Sequence, residues 1–191
     1  ETKAESIITS IIEHKSNKMI TKTNNYDELD ILLDSTPFYP EGGGQVGDRG
    51  IIKSGNAKMQ VIDTQSPVEG FIFHRVKILS GSFAIGDKVE CIVDEESRNS
   101  SKRNHTGTHM LHAALREILG NHVHQQGSLV SPDRLRFDFT HMKKLTNSEI
   151  RSLENLLNSK IRANLIVKKH NTTYLEAIEQ GAIAFFGDKY G

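Results

Sequence analysis

An α+β chain is expected from residues 1–191, with a small β-barrel-like module first and an antiparallel sheet covered by helices second. Two textures support this. From about residue 20 to 93 the chain carries short β-prone runs separated by turn signals, the spacing of a small barrel or sandwich. From about residue 101 onward, amphipathic helical spacing alternates with β-like runs, as in strands that carry helices. The division is expected at 98/99: residues 1–98 hold an N-terminal helix and the barrel-like module, and residues 99–191 an α+β module.

Taken in order, Ala4, Ile7, Ile8, Ile11 and Ile12 follow helical spacing and predict an amphipathic helix ending near Lys15. Strands are expected over residues 30–33, 50–52, 59–63, 70–76 and 88–93, with Ser54-Gly55-Asn56 as one of the turns. The polar stretch 94–103 reads as a seam. A helix over residues 101–119 stops before Gly120-Asn121, a C-terminal signal. Strands over 122–130 and 134–139 are joined by Ser131-Pro132-Asp133. Thr146-Asn147-Ser148-Glu149 has the form of a capping box, continued as a helix by Ile150, Leu153, Leu157 and Ile161. A further strand over 164–171 and a short helix capped by Thr173 and ending at Gly181 complete the reading.

Composition narrows the class without naming a partner. Hydrophobic content of 36% with 25% charged residues is ordinary for a globular protein, and a formal net charge of +0 gives no global field for nucleic acid. Any RNA contact is therefore expected to be local. The single cysteine, Cys91, excludes an internal disulfide framework and suits a reducing compartment, so a cytoplasmic location is expected. No run approaches the roughly 18 apolar residues of a membrane span, so no membrane partner is expected. The start, Glu1-Thr2-Lys3-Ala4, carries no initiator Met and reads as that of an excised fragment.

Three segments carry chemistry-bearing side chains. In Arg103-Asn104-His105-Thr106-Gly107-Thr108-His109-Met110-Leu111-His112, the three histidines share a stripe at roughly 100° per residue, apart from Leu111, Ala114, Leu115 and Ile118. Burial of these histidines with the leucines is therefore not expected. An i, i+4 pair such as His105 and His109 holds one metal ion or forms a polar helix face. The metalloprotease pattern fails, because Thr106 stands where His-Glu-x-x-His needs its glutamate. His112 is a candidate third ligand, though helix geometry more easily makes it a supporting or surface group. The second segment, Thr36-Pro37-Phe38-Tyr39-Pro40-Glu41-Gly42-Gly43-Gly44-Gln45-Val46-Gly47-Asp48, combines a glycine triplet with hydroxyl, amide and aromatic groups. It suits a polar small-molecule pocket or a bulged turn, and it is not a phosphate-loop fingerprint. In the third, His122, His124 and Gln126 face one way and Val123 and Gln125 the other. Arg134, Arg136, Lys143 and Lys144 either touch phosphates or form a solvated face.

Seven segments in this order resemble the editing domains of alanyl-tRNA synthetases and the related stand-alone AlaX proteins. They are Thr36-Pro37-Phe38-Tyr39; Gly43-Gly44-Gln45 with Asp48 and Gly50; Arg103 to His112; Gln125 with Gly127-Ser128-Leu129-Val130; Leu135-Arg136-Phe137-Asp138-Phe139; Ile161-Arg162-Ala163-Asn164; and Gly181-Ala182 with Phe186-Gly187-Asp188-Lys189-Tyr190-Gly191. The last segment is closer to the synthetase than to AlaX. Threonyl-tRNA synthetase editing domains share a His-x-x-x-His helix but not the glycine loop or Leu135 to Phe139.

The resemblance implies that His105 and His109 are zinc ligands. It places Gln125 in an editing pocket, with Thr36 and Gln45 helping to read a misattached amino acid. The family completes its zinc site with a Cys-x-x-x-His motif beyond residues matching Gly191, so this chain is expected to hold two of four ligands and to bind zinc weakly. The implied partners are the acceptor end of tRNA(Ala), mischarged serine or glycine, and the remainder of a parent synthetase, which alone would use ATP. The implied reaction is hydrolysis of the ester between amino acid and terminal adenosine, with zinc polarising the ester, binding the amino group or activating water. A pocket sized for alanine rejects serine by only about 10²-fold, which is why a second, hydrolytic site is needed. Two other readings stand beside this one: a stand-alone AlaX-type deacylase, and a non-catalytic fragment that grips the acceptor end.

Overall fold

The computed structural model describes residues 1–23, 28–168 and 170–182. The α+β expectation holds: among these residues there are a barrel, a separate two-stranded antiparallel sheet and three helices. They fall into two compact units, one of Glu1–Thr108 with Gly127–Phe137, the other of His109–Gln126 with Asp138–Gly191.

In the first unit, β1 (Lys3–Glu13), β3 (Leu29–Leu33), β6 (Phe71–Ser80), β5 (Ala57–Val68), β4 (Gly50–Ser54) and β7 (Lys88–Val93) pair in that order. The antiparallel pairing of β7 with β1, Lys3↔Ile92 through Ile7↔Lys88, closes the barrel. The short β2 (Lys18–Ile20) adds to β1 on the outside of this ring. Inside lie Ile8, Ile11, Leu29, Ile31, Ile52, Met59, Val61, Val76, Val89, Cys91 and Val93, capped by Phe38 and Phe83. Each such side chain contributes on the order of 1.5–3 kcal/mol by leaving water. All five strands expected between residues 30 and 93 are present, and β5 and β6 run beyond the expected limits.

The expected N-terminal helix is a strand. Ser6 and Ile8 face inward at period two, and the next inward residue is Ile11 rather than Ser10. The register of β1 on β3 passes from Ile8↔Leu33 to Ser10↔Leu32, so Thr9 is one extra residue, a β-bulge. That bulge converts a step of two into a step of three and so imitates helical spacing. The isoleucines, stiff at χ1, favour the pleated alternative.

The helix expected from residue 101 also starts earlier. α1 runs Glu95–Leu119, and the Asp94 carboxylate accepts from the Ser97 N–H at 3.0 Å as its cap. The stretch read as a seam is therefore its first two turns, with Glu95 and Glu96 favourably placed at the positive end. At the far end Gly120 takes φ +111° and its N–H donates to Arg116 O, the expected stop.

Beyond α1, β8 (Gln125–Val130) pairs with β9 (Leu135–Phe139). α2 (Asn147–Arg162) begins at the expected capping box, in which Thr146 and Glu149 satisfy each other's backbone N–H. α3 (Tyr174–Glu179) repeats the device with Thr173 and Glu176. The strand expected over 164–171 is not regular structure at its described residues, and the motif from Phe186 to Gly191 lies outside the described residues. No described helix is long and apolar enough to cross a membrane.

Candidate functional site

In the first unit, the segment from Thr36 to Asp48 is held as a stiff double turn. Asp48 is almost fully buried and its carboxylate accepts from the Tyr39 N–H at 2.6 Å. The Arg98 guanidinium, in the first turns of α1, donates to both Asp48 oxygens and to Pro37 O at 2.8 Å. The carboxylate beside it raises the Arg98 pKa further. This charge-assisted fork ties α1 to the loop. Gly42 and Gln45 exchange backbone hydrogen bonds at 3.0 Å in each direction. Gly44 then sits at φ +81°, where its carbonyl accepts from Val130 N–H at 2.7 Å. A Cβ on Gly44 would collide with the side chain and carbonyl of Ser128. The glycine is thus required by the approach of the chain's own β8, in a conformation that L-residues avoid.

The turn presents Gln45, a 6% exposed side chain whose Oε1 lies 2.8 Å from Nδ1 of His105. An amide oxygen only accepts, so Nδ1 carries the proton, and in the neutral form of the ring the lone pair lies on Nε2. This is the arrangement of a metal-ligating histidine, whose second nitrogen donates to an oxygen. Gln45 and His105 were both expected in a site, and the fold brings these two together.

Thr36 is engaged elsewhere in the same unit. Its Oγ1 accepts from Phe38 N–H at 3.1 Å and lies 2.8 Å from Nε2 of His74. His74 is fully buried in the barrel, with Nδ1 on Ile31 O at 2.9 Å and its ring edge-on to Phe38 at 5.4 Å. Burial pushes its pKa down to about 4, partly offset by the bond to Ile31. Motif reading missed His74 because no motif contains it. The available signal was its parity: it occupies an inward position of β6, two residues before the buried Val76.

His109 and Gln125 belong to the second unit. His109 is exposed on α1, one turn beyond His105, and Gln125 is half-buried at the start of β8. His112, expected to be a supporting or surface group apart from the leucines, is instead only 7% exposed, and Leu115, three residues on, is also buried. Three residues along a helix turn it by only about 60° from the starting direction, so the two share a stripe. Burial, followed by the nearby Arg116 charge, lowers the His112 pKa, and a hydrogen bond to the Val123 backbone acts the other way. Also in this unit, His122 Nε2 and His141 Nδ1 lie 2.9 Å apart in stacked rings. Among the described residues no group of three or more His, Cys, Asp or Glu side chains is placed to hold a metal ion. The chemistry of His105 alone suits a metal ligand, since the proton on its Nδ1 leaves Nε2 as the donor atom.

Comparison with known proteins matches residues 1–97, half of the 191-residue chain, to the model for class II (A) tRNA synthetases. The alanine–tRNA ligase of Carboxydothermus hydrogenoformans is 50% identical over 165 residues, 86% of this chain and 19% of that protein. That of Clostridioides difficile is 46% identical over 177 residues, 93% of this chain and 20% of that protein. In Fervidobacterium nodosum the ligase is 51% identical over 164 residues, 86% of this chain and 19% of that protein. The chain spans about a fifth of the length of these relatives. With half of its length matched by the family model, it belongs to the class II (A) tRNA synthetases.

Proposed function

We propose that this chain is the editing module of an alanyl-tRNA synthetase and hydrolyses the ester of Ser-tRNA(Ala) or Gly-tRNA(Ala). The observation that carries the reading is the hydrogen bond from His105 Nδ1–H to buried Gln45, which presents Nε2 as a ligand atom. Identity of 45–51% to alanine–tRNA ligases over most of the chain supports the parent enzyme. His105 and His109 would hold a zinc ion, which would polarise the ester carbonyl, bind the amino group or activate the attacking water. Gln45 keeps His105 in the ligating tautomer. Gln125 contacts the reacting ester, a role that rests on the resemblance. Thr36 offers its oxygen to the serine hydroxyl, a bond that alanine cannot make, so Ser-tRNA(Ala) is favoured over correctly charged tRNA; glycine gains nothing from Thr36, and hydrolysis of its ester rests on the resemblance.

Water attacks the acyl carbon, the ester bond to the ribose oxygen breaks, and that oxygen leaves with a proton. The test is deacylation of Ser-tRNA(Ala), Gly-tRNA(Ala) and Ala-tRNA(Ala) by the chain, with added zinc and with a chelator. Hydrolysis of the first two alone, lost on chelation, is expected. Gln125→His should abolish it, and an unchanged rate removes Gln125 from the site. Gln45→Ala should weaken zinc binding by about 10- to 100-fold in competition with a chromophoric chelator, as loss of an orienting partner does. Binding of tRNA without hydrolysis under all conditions would leave only an acceptor-end binding module.

A further inference from the structure

We infer that His74 is a positioning residue that fixes Thr36 as an obligate hydrogen-bond acceptor, so that the site selects an amino acid whose side chain donates a hydroxyl proton. The inference rests on the proposed editing function and adds to it a residue and a polarity. Ile31 O only accepts, so the proton of the His74 ring sits on Nδ1 and is given to that carbonyl. Nε2 is then a lone pair, and the 2.8 Å contact with Thr36 is the threonine hydroxyl donating to it. Complete burial holds the imidazole neutral, well below its usual titration range, so this direction does not reverse near neutral pH.

Thr36 has one proton, and it is committed. One of its two lone pairs takes the Phe38 N–H. What remains to a ligand is the second lone pair on a half-buried oxygen. A serine hydroxyl can donate to it, and glycine and alanine have nothing there to donate. A serine with its hydroxyl methylated keeps the size and the acceptor but loses the proton, so it separates this polarity from simple pocket volume.

The experiment compares deacylation of seryl- and O-methylseryl-tRNA(Ala) by the chain with zinc added. The wild-type chain should prefer the seryl over the O-methylseryl ester, and His74→Leu should lower that ratio by roughly five- to tenfold, the worth of one neutral hydrogen bond. His74→Gln, whose amide oxygen can accept the Thr36 proton, should restore much of it. The Thr36→Val background decides between positioning and mere packing, because positioning acts only through the Thr36 hydroxyl. There, His74→Leu should leave the ratio unchanged. A second, equal drop in the ratio in that background overturns the proposal, as does a ratio untouched by His74→Leu in an otherwise active chain. Nitrogen-15 spectra of the wild-type imidazole give a readout independent of turnover. Protonated Nδ1 with bare Nε2 is expected, and the opposite tautomer overturns the proposal. A wild-type chain that hydrolyses no mischarged tRNA overturns the editing function itself, and the tautomer then still reports on the Thr36–His74 geometry alone.

Discussion

Two buried titratable side chains in the barrel have opposite consequences. His74 has its pKa lowered from 6.5 to about 4, chiefly by burial. The unfolded chain therefore binds more protons between these values, so stability is full above about pH 6.5, falls as pH drops and levels off below about pH 4. The total loss from this group is about 3 kcal/mol. Denaturant midpoints measured down to acidic pH should show this slope, and His74→Leu should flatten it; parallel profiles would assign the slope to other groups. Cys91 is pushed the other way, up to about 11, first by burial, while the Ser6 hydroxyl, 3.7 Å from Sγ, opposes this by stabilising the thiolate. At a pH of about 8 only about one thiol in a thousand would be ionised. The folded chain should resist thiol-specific reagents and react fully once unfolded. Rapid labelling of folded protein would contradict the burial.

Elements were legible where a local chemical rule acts alone. The boxes at Thr146 and Thr173 need only residues three apart, and both helices begin where the rule places them. The strands from β3 to β7 were visible in their composition. What escaped was set by pairing or capping that periodicity does not see. Thr9 is a bulge only because β3 lies alongside, and the first turns of α1 contain no apolar face, only the Asp94 cap. The candidate site divides in the same way: His105 and Gln45 were read from motifs, whereas His74 owes its role to a contact 38 residues away in sequence. The joint between loop and helix is energetically exposed to mutation. The Arg98 and Asp48 side chains are only 11% and 5% accessible, so removing one partner strands the other's charge. Asp48→Asn or Arg98→Met should each cost about 3–5 kcal/mol. The double variant should cost less than the sum, as measured by a denaturation cycle. Strict additivity would show that the pair is not coupled.

The barrel is a ring, and a ring depends on its last joint. Deleting residues 1–7 removes the β1 half that pairs with β7 and uncovers the backbone groups of β7 from Lys88 to Ile92. An uncovered strand edge is a template for another chain. The shortened protein should melt earlier and scatter light on mild heating, where the full chain stays clear. A monomeric, equally stable deletion would show that the ring does not need this joint. The same joint sets a timetable during synthesis. Lys3 leaves the ribosome ahead of its partner Ile92, which follows 89 positions later (92 − 3). At about 5–20 residues per second this is a wait of roughly 4–18 s. Throughout it the leading half of β1 lacks its permanent neighbour, and the nascent chain must be kept from finding a substitute.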